Sequence, residues 1–207
     1  MRDVGFLLLA GGQSRRMGGG DKNQLHLDGK PVMQHVLDRV ERADAPTVIN
    51  ANGDPKRFDD YGLPVIADVI DGYAGPLAGI LTGLEWLVAH HSNCTHLVSM
   101  ATDAPFLPTD LALRLYAETR KGFCIAQASS NGRLHPVFAI WSILLLSDLR
   151  SAVVKAGVRK IVHFTEKYDC SVVTFSGSPD PFFNLNKPED YDEACRWYSQ
   201  SDTVGGL

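Results

Sequence analysis

Short, nearly unbroken apolar runs alternate along the chain with segments whose apolar positions recur at three and four residues. Val4–Ala10, Pro46–Ala51, Val65–Ala67 and Thr95–Ala101 read as strands, and Phe123–Ala128, Pro136–Trp141 and Ser171–Phe175 as further ones. Between them Pro31 opens a helix with Val32, Met33, Val36, Leu37 and Val40 on one face. Pro76 opens another, with Leu77, Ile80, Leu81, Leu84, Leu87 and Val88 at helical spacing, and Pro108 a third that continues to Arg120. Ile143–Val154 and Arg159–Thr165 read as helical, and Pro188 starts a last helix presenting Tyr191, Ala194, Cys195 and Tyr198. Strands that are apolar throughout are buried on both faces. With strand–helix alternation they predict an α/β fold of three layers, α/β/α, around a mostly parallel sheet. In such sheets ligands bind beyond the carboxyl ends of the strands.

The first strand runs straight into a loop with that character. Leu7-Leu8-Leu9-Ala10 stops at Gly11-Gly12, and Arg15, Arg16 and Lys22 follow among further glycines. Glycines let backbone N–H groups approach phosphate oxygens closely, while arginine and lysine add charge and fork-shaped donors. The P-loop pattern is absent, and the dinucleotide fingerprint lacks its third glycine. What remains, Gly-Gly, then Arg16-Met17-Gly18 and Asp21-Lys22, resembles the signature of nucleotidyltransferases.

Composition narrows the partners. The chain has 207 residues, 44% hydrophobic and 21% charged, which suits one globular domain over 1–198 with a flexible tail at 199–207. A net charge of −4 disfavours nonspecific nucleic-acid binding, so an anionic substrate must be met by local charge such as the loop's. The four cysteines are widely spaced with no C-x-x-C, which reads as reduced thiols rather than zinc ligands or a disulfide framework. No apolar run is long enough to span a bilayer, and Leu7–Leu9 is too short for a signal peptide; the expectation is a cytoplasmic protein without membrane contact.

Polar residues at the predicted strand ends supply candidate chemistry. Asn50 can read a base or bond a ribose, or simply close a turn before Gly53. Asp68 can accept from purine N–H groups or ribose hydroxyls, with turn chemistry as the plainer role. The stretch Gly75-Pro76-Leu77-Ala78-Gly79 lets the next helix pack closely. Asp103 leaves a buried strand in Thr102-Asp103-Ala104-Pro105, where a carboxylate holds Mg²⁺ chelated by phosphates. Asn186 and Glu189 form an Asn-x-x-Glu helix start, and either Asn184 or Asn186 can instead touch a metal or substrate. His135, before Pro136, can contact a second substrate or sit as a partly buried histidine.

Taken in order, Leu9-Ala10-Gly11-Gly12, Arg16-Met17-Gly18, Asp21-Lys22, Asn50-Ala51-Asn52, Gly75-Pro76-Leu77-Ala78-Gly79, Thr102-Asp103-Ala104-Pro105, His135-Pro136-Val137 and Asn184-Leu185-Asn186-Lys187-Pro188-Glu189-Asp190 span nearly the whole chain. Together they resemble the molybdenum cofactor guanylyltransferases, the MobA family. Asn23 and Lys187 depart from the family's usual residues at their positions. The resemblance implies a Rossmann-like domain of the nucleotide-diphospho-sugar transferase type. It implies transfer of GMP from GTP to molybdenum-loaded molybdopterin, with release of pyrophosphate. Carried over by motif, Leu9, Ala10, Gly11, Gly12, Lys22, Asn50, Asp68 and Asp103 bind the nucleotide. Asp103 also binds Mg²⁺, and Asp103, Lys22 and Arg16 carry the catalysis. The pattern calls for Arg16 and Lys22 but not Arg15. The expected partners are GTP, molybdopterin and proteins of cofactor biosynthesis or molybdoenzyme maturation, and the expected state is a monomer. Three alternatives remain open at this point: a cytidylyltransferase acting on the same pterin, a sugar-phosphate nucleotidyltransferase, and a nucleotide-binding cofactor chaperone without chemistry. Gly12 after Gly11 resembles the guanylyl branch rather than the cytidylyl one.

Overall fold

The computed structural model describes residues 3–11, 25–40, 45–70, 72 and 75–202. Its strands are β1 (Val4–Leu9), β2 (His26–Leu27), β3 (Lys30–Pro31), β4 (Thr47–Asn50), β5 (Val65–Ile66), β6 (His96–Ala101), β7 (Ile125–Ser130), β8 (Arg133–Ser142) and β9 (Cys170–Thr174). Its α-helices are α1 (Val32–Val40), α2 (Pro76–His90), α3 (Leu111–Thr119), α4 (Leu146–Arg150), α5 (Ile161–Thr165) and α6 (Pro188–Asp202). A 3₁₀ helix over Pro55–Tyr61, capped by the Asp54 side chain, joins β4 to β5. A π-turn over Ser151–Lys155 continues α4.

Contacts divide the chain into two compact units. The first comprises Met1–Gly11, Arg42–Ala101 and Asp110–Phe175. It holds a seven-stranded sheet in the order β5-β4-β1-β6-β8-β7-β9. All neighbours pair in parallel except β8, which runs antiparallel to both β6 and β7. One face carries Leu7, Val48, Leu97, Ile125, Ala139 and Trp141, packed with buried residues of α2, α4 and α5. Phe6, Leu8, Val98, Ala126 and Ile140, of the opposite parity, are equally buried, so both faces are covered. The expected mostly parallel α/β/α arrangement is therefore present. Two glycines one turn apart let α2 lie flat on the sheet: a Cβ at Gly83 would stand 2.8 Å from Leu7, and one at Gly79 2.4 Å from the Asn50 side chain.

The second unit comprises Gly12–Glu41, Thr102–Thr109 and Ser176–Leu207. Its small core is Leu27, Val32, Leu185 and Ala194, with Phe106, Phe183, Tyr191 and Tyr198 packed around it. The His35 Nε2–H donates to the Leu27 carbonyl at 2.7 Å, since a carbonyl can only accept, and the Tyr198 hydroxyl lies 3.0 Å from Nδ1.

Two helix starts, and the cap of a third helix, differ in detail from expectation. Pro31 is the last residue of β3 and pairs with His26, so α1 begins at Val32. Pro108 precedes a turn, and α3 begins at Leu111. At α6 it is Asp190, not Glu189, that accepts from the backbone N–H groups of Asn186 and Lys187, each at 2.9 Å. Asp190 is the residue that reaches back because the helix starts at Pro188, one position later than an Asn186 cap requires. α6 extends to Asp202.

Candidate active site

The carboxyl ends of β1, β4 and β5 meet at one edge of the first unit, and the site is built there. Leu9 pairs with Asn50, and the Ala10 N–H donates to the Asn50 carbonyl at 3.0 Å. β4 leaves Asn50 4% exposed, and a buried amide must be partnered. Its Nδ2 donates to Asp68 Oδ1 at 3.0 Å and to the Ile66 carbonyl at 3.3 Å. Asn52, two residues on, closes the other side: its Nδ2 donates to Asp68 Oδ2 at 2.8 Å, and its Oδ1 accepts the Asp68 N–H at 2.9 Å. The Thr82 hydroxyl of α2 accepts the Val69 N–H at 3.0 Å while donating to the Ala78 carbonyl. The half-buried Asp68 carboxylate is thus fixed on both oxygens by side-chain amides, and each oxygen retains a lone pair for a further donor.

Asn50 and Asp68, singled out separately in the sequence, are therefore one device. Asn52 and Thr82 complete it and were not singled out. The Asn50-Ala51-Asn52 repeat offered a signal, since a strand end that turns away lets two asparagines converge. Thr82 offered another: it is a hydroxyl on the buried face of α2, 3% exposed, bonded to the carbonyl one turn back. Leu9 is half-buried, Ala10 is buried and Gly11 is exposed, with open space where a Cβ would stand.

Asp103 belongs to the second unit. It lies two residues past β6 and eight before α3, so it does not cap that helix. Its carbonyl accepts the Leu185 N–H at 2.9 Å, which brings the neighbouring Asn184 to the same segment. Asn184 Oδ1 is buried and has no hydrogen-bond partner among the described residues. Asn186 is exposed. The His135 Nε2 lies 2.8 Å from the Ser130 hydroxyl in the first unit. Gly12, Arg15, Arg16 and Lys22 lie outside the described residues.

Residues 6–170 match the model of the MobA-like NTP transferase domain. The chain belongs to the MobA-like NTP transferase family. It is 46% identical over 198 residues to the molybdenum cofactor guanylyltransferase of Bradyrhizobium sp. (strain ORS 278), covering 95% of this chain and 93% of that protein. It is 47% identical over 200 residues to the molybdenum cofactor guanylyltransferase of Mesorhizobium japonicum, covering 94% and 96%. Among solved structures, molybdopterin-guanine dinucleotide biosynthesis protein A from Archaeoglobus fulgidus superposes with a TM-score of 0.75 at 25% identity, covering 94% and 98%. The 4-diphosphocytidyl-2C-methyl-D-erythritol synthase of Anaerococcus prevotii superposes at 0.72 with 12% identity, over 95% and 96% of the two chains, a likeness of fold. The MobA-like chain is thus a nucleotidyltransferase by family, with the fold that these enzymes share.

Proposed function

We propose that this chain transfers GMP from GTP to the terminal phosphate of molybdenum-loaded molybdopterin and releases pyrophosphate. The observation that carries the reading is the clamped carboxylate at the end of β5. Guanine offers two adjacent donors, N1–H and N2–H₂, while cytosine offers a single exocyclic amino group. Asp68, held by Asn50 and Asn52, presents two acceptor oxygens in a fixed plane, which matches the guanine edge. The names of the relatives support the same substrate.

Among the described residues no group of three or more His, Cys, Asp or Glu side chains is arranged for a metal ion. A Mg²⁺ carried by a triphosphate needs only one or two protein oxygens. The orphaned, buried Asn184 oxygen beside the Asp103 segment fits that need, so Asp103 and Asn184 would hold the ion. When bound, it neutralises charge on the triphosphate oxygens. A phosphate monoester is anionic near neutral pH, so the acceptor attacks the α-phosphorus without a strong base, and catalysis rests on positioning and charge. Leu9, Ala10 and Gly11 cradle the nucleotide with Gly12, while Arg16 and Lys22 stabilise charge on the departing pyrophosphate. The protein acts in the cytoplasm as a monomer and passes its product to maturation proteins.

Label placement tests the reading. With GTP labelled at the α-phosphorus, the label is expected in the pterin product; with γ-label, in free pyrophosphate. Label transfer to a hexose phosphate instead of the pterin would overturn the assignment.

A further inference from the structure

The β7–β8 hairpin carries polar groups that the roles above leave unused. Asn131 and Gly132, both at positive φ, make its two-residue turn. From the turn the register runs regularly through Ser130↔Arg133, Ser129↔Leu134 and Ala128↔His135. It then breaks: Gln127 pairs with Ala139, and Pro136, Val137 and Phe138 face no partner on β7. Pro136 has no N–H to give, and β8 lies between two strands, where proline is accommodated only at a bulge. The Ser99 hydroxyl relieves the break by donating to the Val137 carbonyl at 2.6 Å, and the Trp141 indole N–H donates to Ser99 at 2.9 Å.

This bulge decides where His135 points. Strict alternation would put His135 on the same face as Val137 and Ala139. The register instead pairs it with Ala128, on the opposite face, where the fully buried Ser130 lies diagonal to it and bonds its Nε2. Arg133, exposed, stands directly across from Ser130 on that face. β8 is antiparallel to β6 and last pairs with it at Ser99↔Ala139, so residues before Val137 project past the carboxyl end of β6. That is the edge at which Leu9, Asn50 and Asp68 lie.

We propose that His135, its ring fixed by Ser130 and supported by Arg133, receives the anionic phosphate monoester of the acceptor. This rests on the transfer reaction proposed above. An imidazole donor beside a guanidinium suits a phosphate, whereas the Asp68 device suits N–H donors. His135 contacts the ligand, and Ser130 is a positioning residue acting through it.

Calorimetric titration tests this, using the pterin acceptor with and without its phosphate. His135→Asn is expected to weaken the phosphorylated acceptor about tenfold, the loss of one charge-assisted hydrogen bond. Ser130→Ala weakens it less, and both leave the dephosphorylated pterin and GTP bound as in the wild type. Arg133→Gln, at an exposed position, shows the same phosphate-dependent loss in smaller measure and keeps the test open should His135→Asn not fold. Equal affinities across wild type and variants, or equal losses with and without the phosphate, overturn the proposal. Wild-type GMP transfer measured in parallel separates the two ideas: its absence overturns the reaction, while the variants' phosphate dependence decides the role of His135.

Discussion

Asp68 accepts from two amides at once, and that double clamp makes its side chain a rigid acceptor pair rather than a mobile turn residue. Changing it to Asn would turn an N–H₂ toward the amide donors of Asn50 or Asn52 and remove one acceptor for the base. Asp68→Asn is therefore expected to weaken GTP binding by about 2 kcal/mol, roughly thirtyfold, in equilibrium titration. Unchanged affinity would contradict the base-reading role. Asp103→Ala should cut turnover by about a hundredfold or more, some 3 kcal/mol of transition-state stabilisation, with the melting temperature nearly unchanged. Asn50 and Asp68 stood out singly in the sequence as polar residues that end apolar runs, although turn chemistry explains such residues equally well. Their cooperation was not legible, since Asn52 and Asp68 are sixteen positions apart and meet only through the pairing of β4 with β5.

At the scale of elements, helix α2 packs directly against the site at Gly79. A methyl group at Gly79 would strike Asn50 Oδ1 at 2.4 Å and Leu9 Cδ2 at 2.5 Å. Gly79→Ala is expected to lower thermal stability by about 1–3 kcal/mol through overpacking and to weaken GTP binding together with it. A variant that loses stability but keeps full nucleotide affinity would uncouple α2 from Asn50. At the start of β1, burial works against the Asp3 carboxylate. Hydrogen bonds from Thr95 and Tyr116 outweigh it and hold Asp3 below the usual carboxylate range. A depressed carboxylate contributes stability that is present above its unfolded pKa, about 3.9, and is lost as pH falls through the lower folded value. Asp3→Asn should thus lower stability at pH 7 and flatten its fall on acidification, as followed by urea unfolding at each pH; an unaltered pH profile would refute this. The apolar runs located the seven strands of the main sheet to within two or three residues because burial on both faces leaves a plain signature, whereas the two-residue strands β2 and β3 contain no such run and were missed. Pro31 and Pro108 misplaced two helix starts because proline serves strand ends and turns as readily as a first helical turn. The 3₁₀ helix at Pro55 was signalled only by Asp54-Pro55, a cap followed by a fixed φ, which is weak alone.

For the whole molecule, the layered α/β/α class followed from alternation, but the strand order did not. Order depends on which crossovers pack, and apolar runs are silent on that. The reversal of β8 had a local cause, the Asn131-Gly132 turn, too short for anything but an antiparallel return. The division into two contact units was equally hidden, because the second is assembled from three separated stretches of chain. Family membership was legible because its motifs are spread across both units. The account's central claim is a guanylyl transfer that needs the pterin. Its most direct test is the initial rate of pyrophosphate release by the purified protein with Mg²⁺, comparing GTP with CTP, each with and without molybdopterin. The predicted result is release that requires the pterin and is at least about tenfold faster with GTP, the margin one lost base contact supplies. Faster release with CTP, or release indifferent to the pterin, would contradict it.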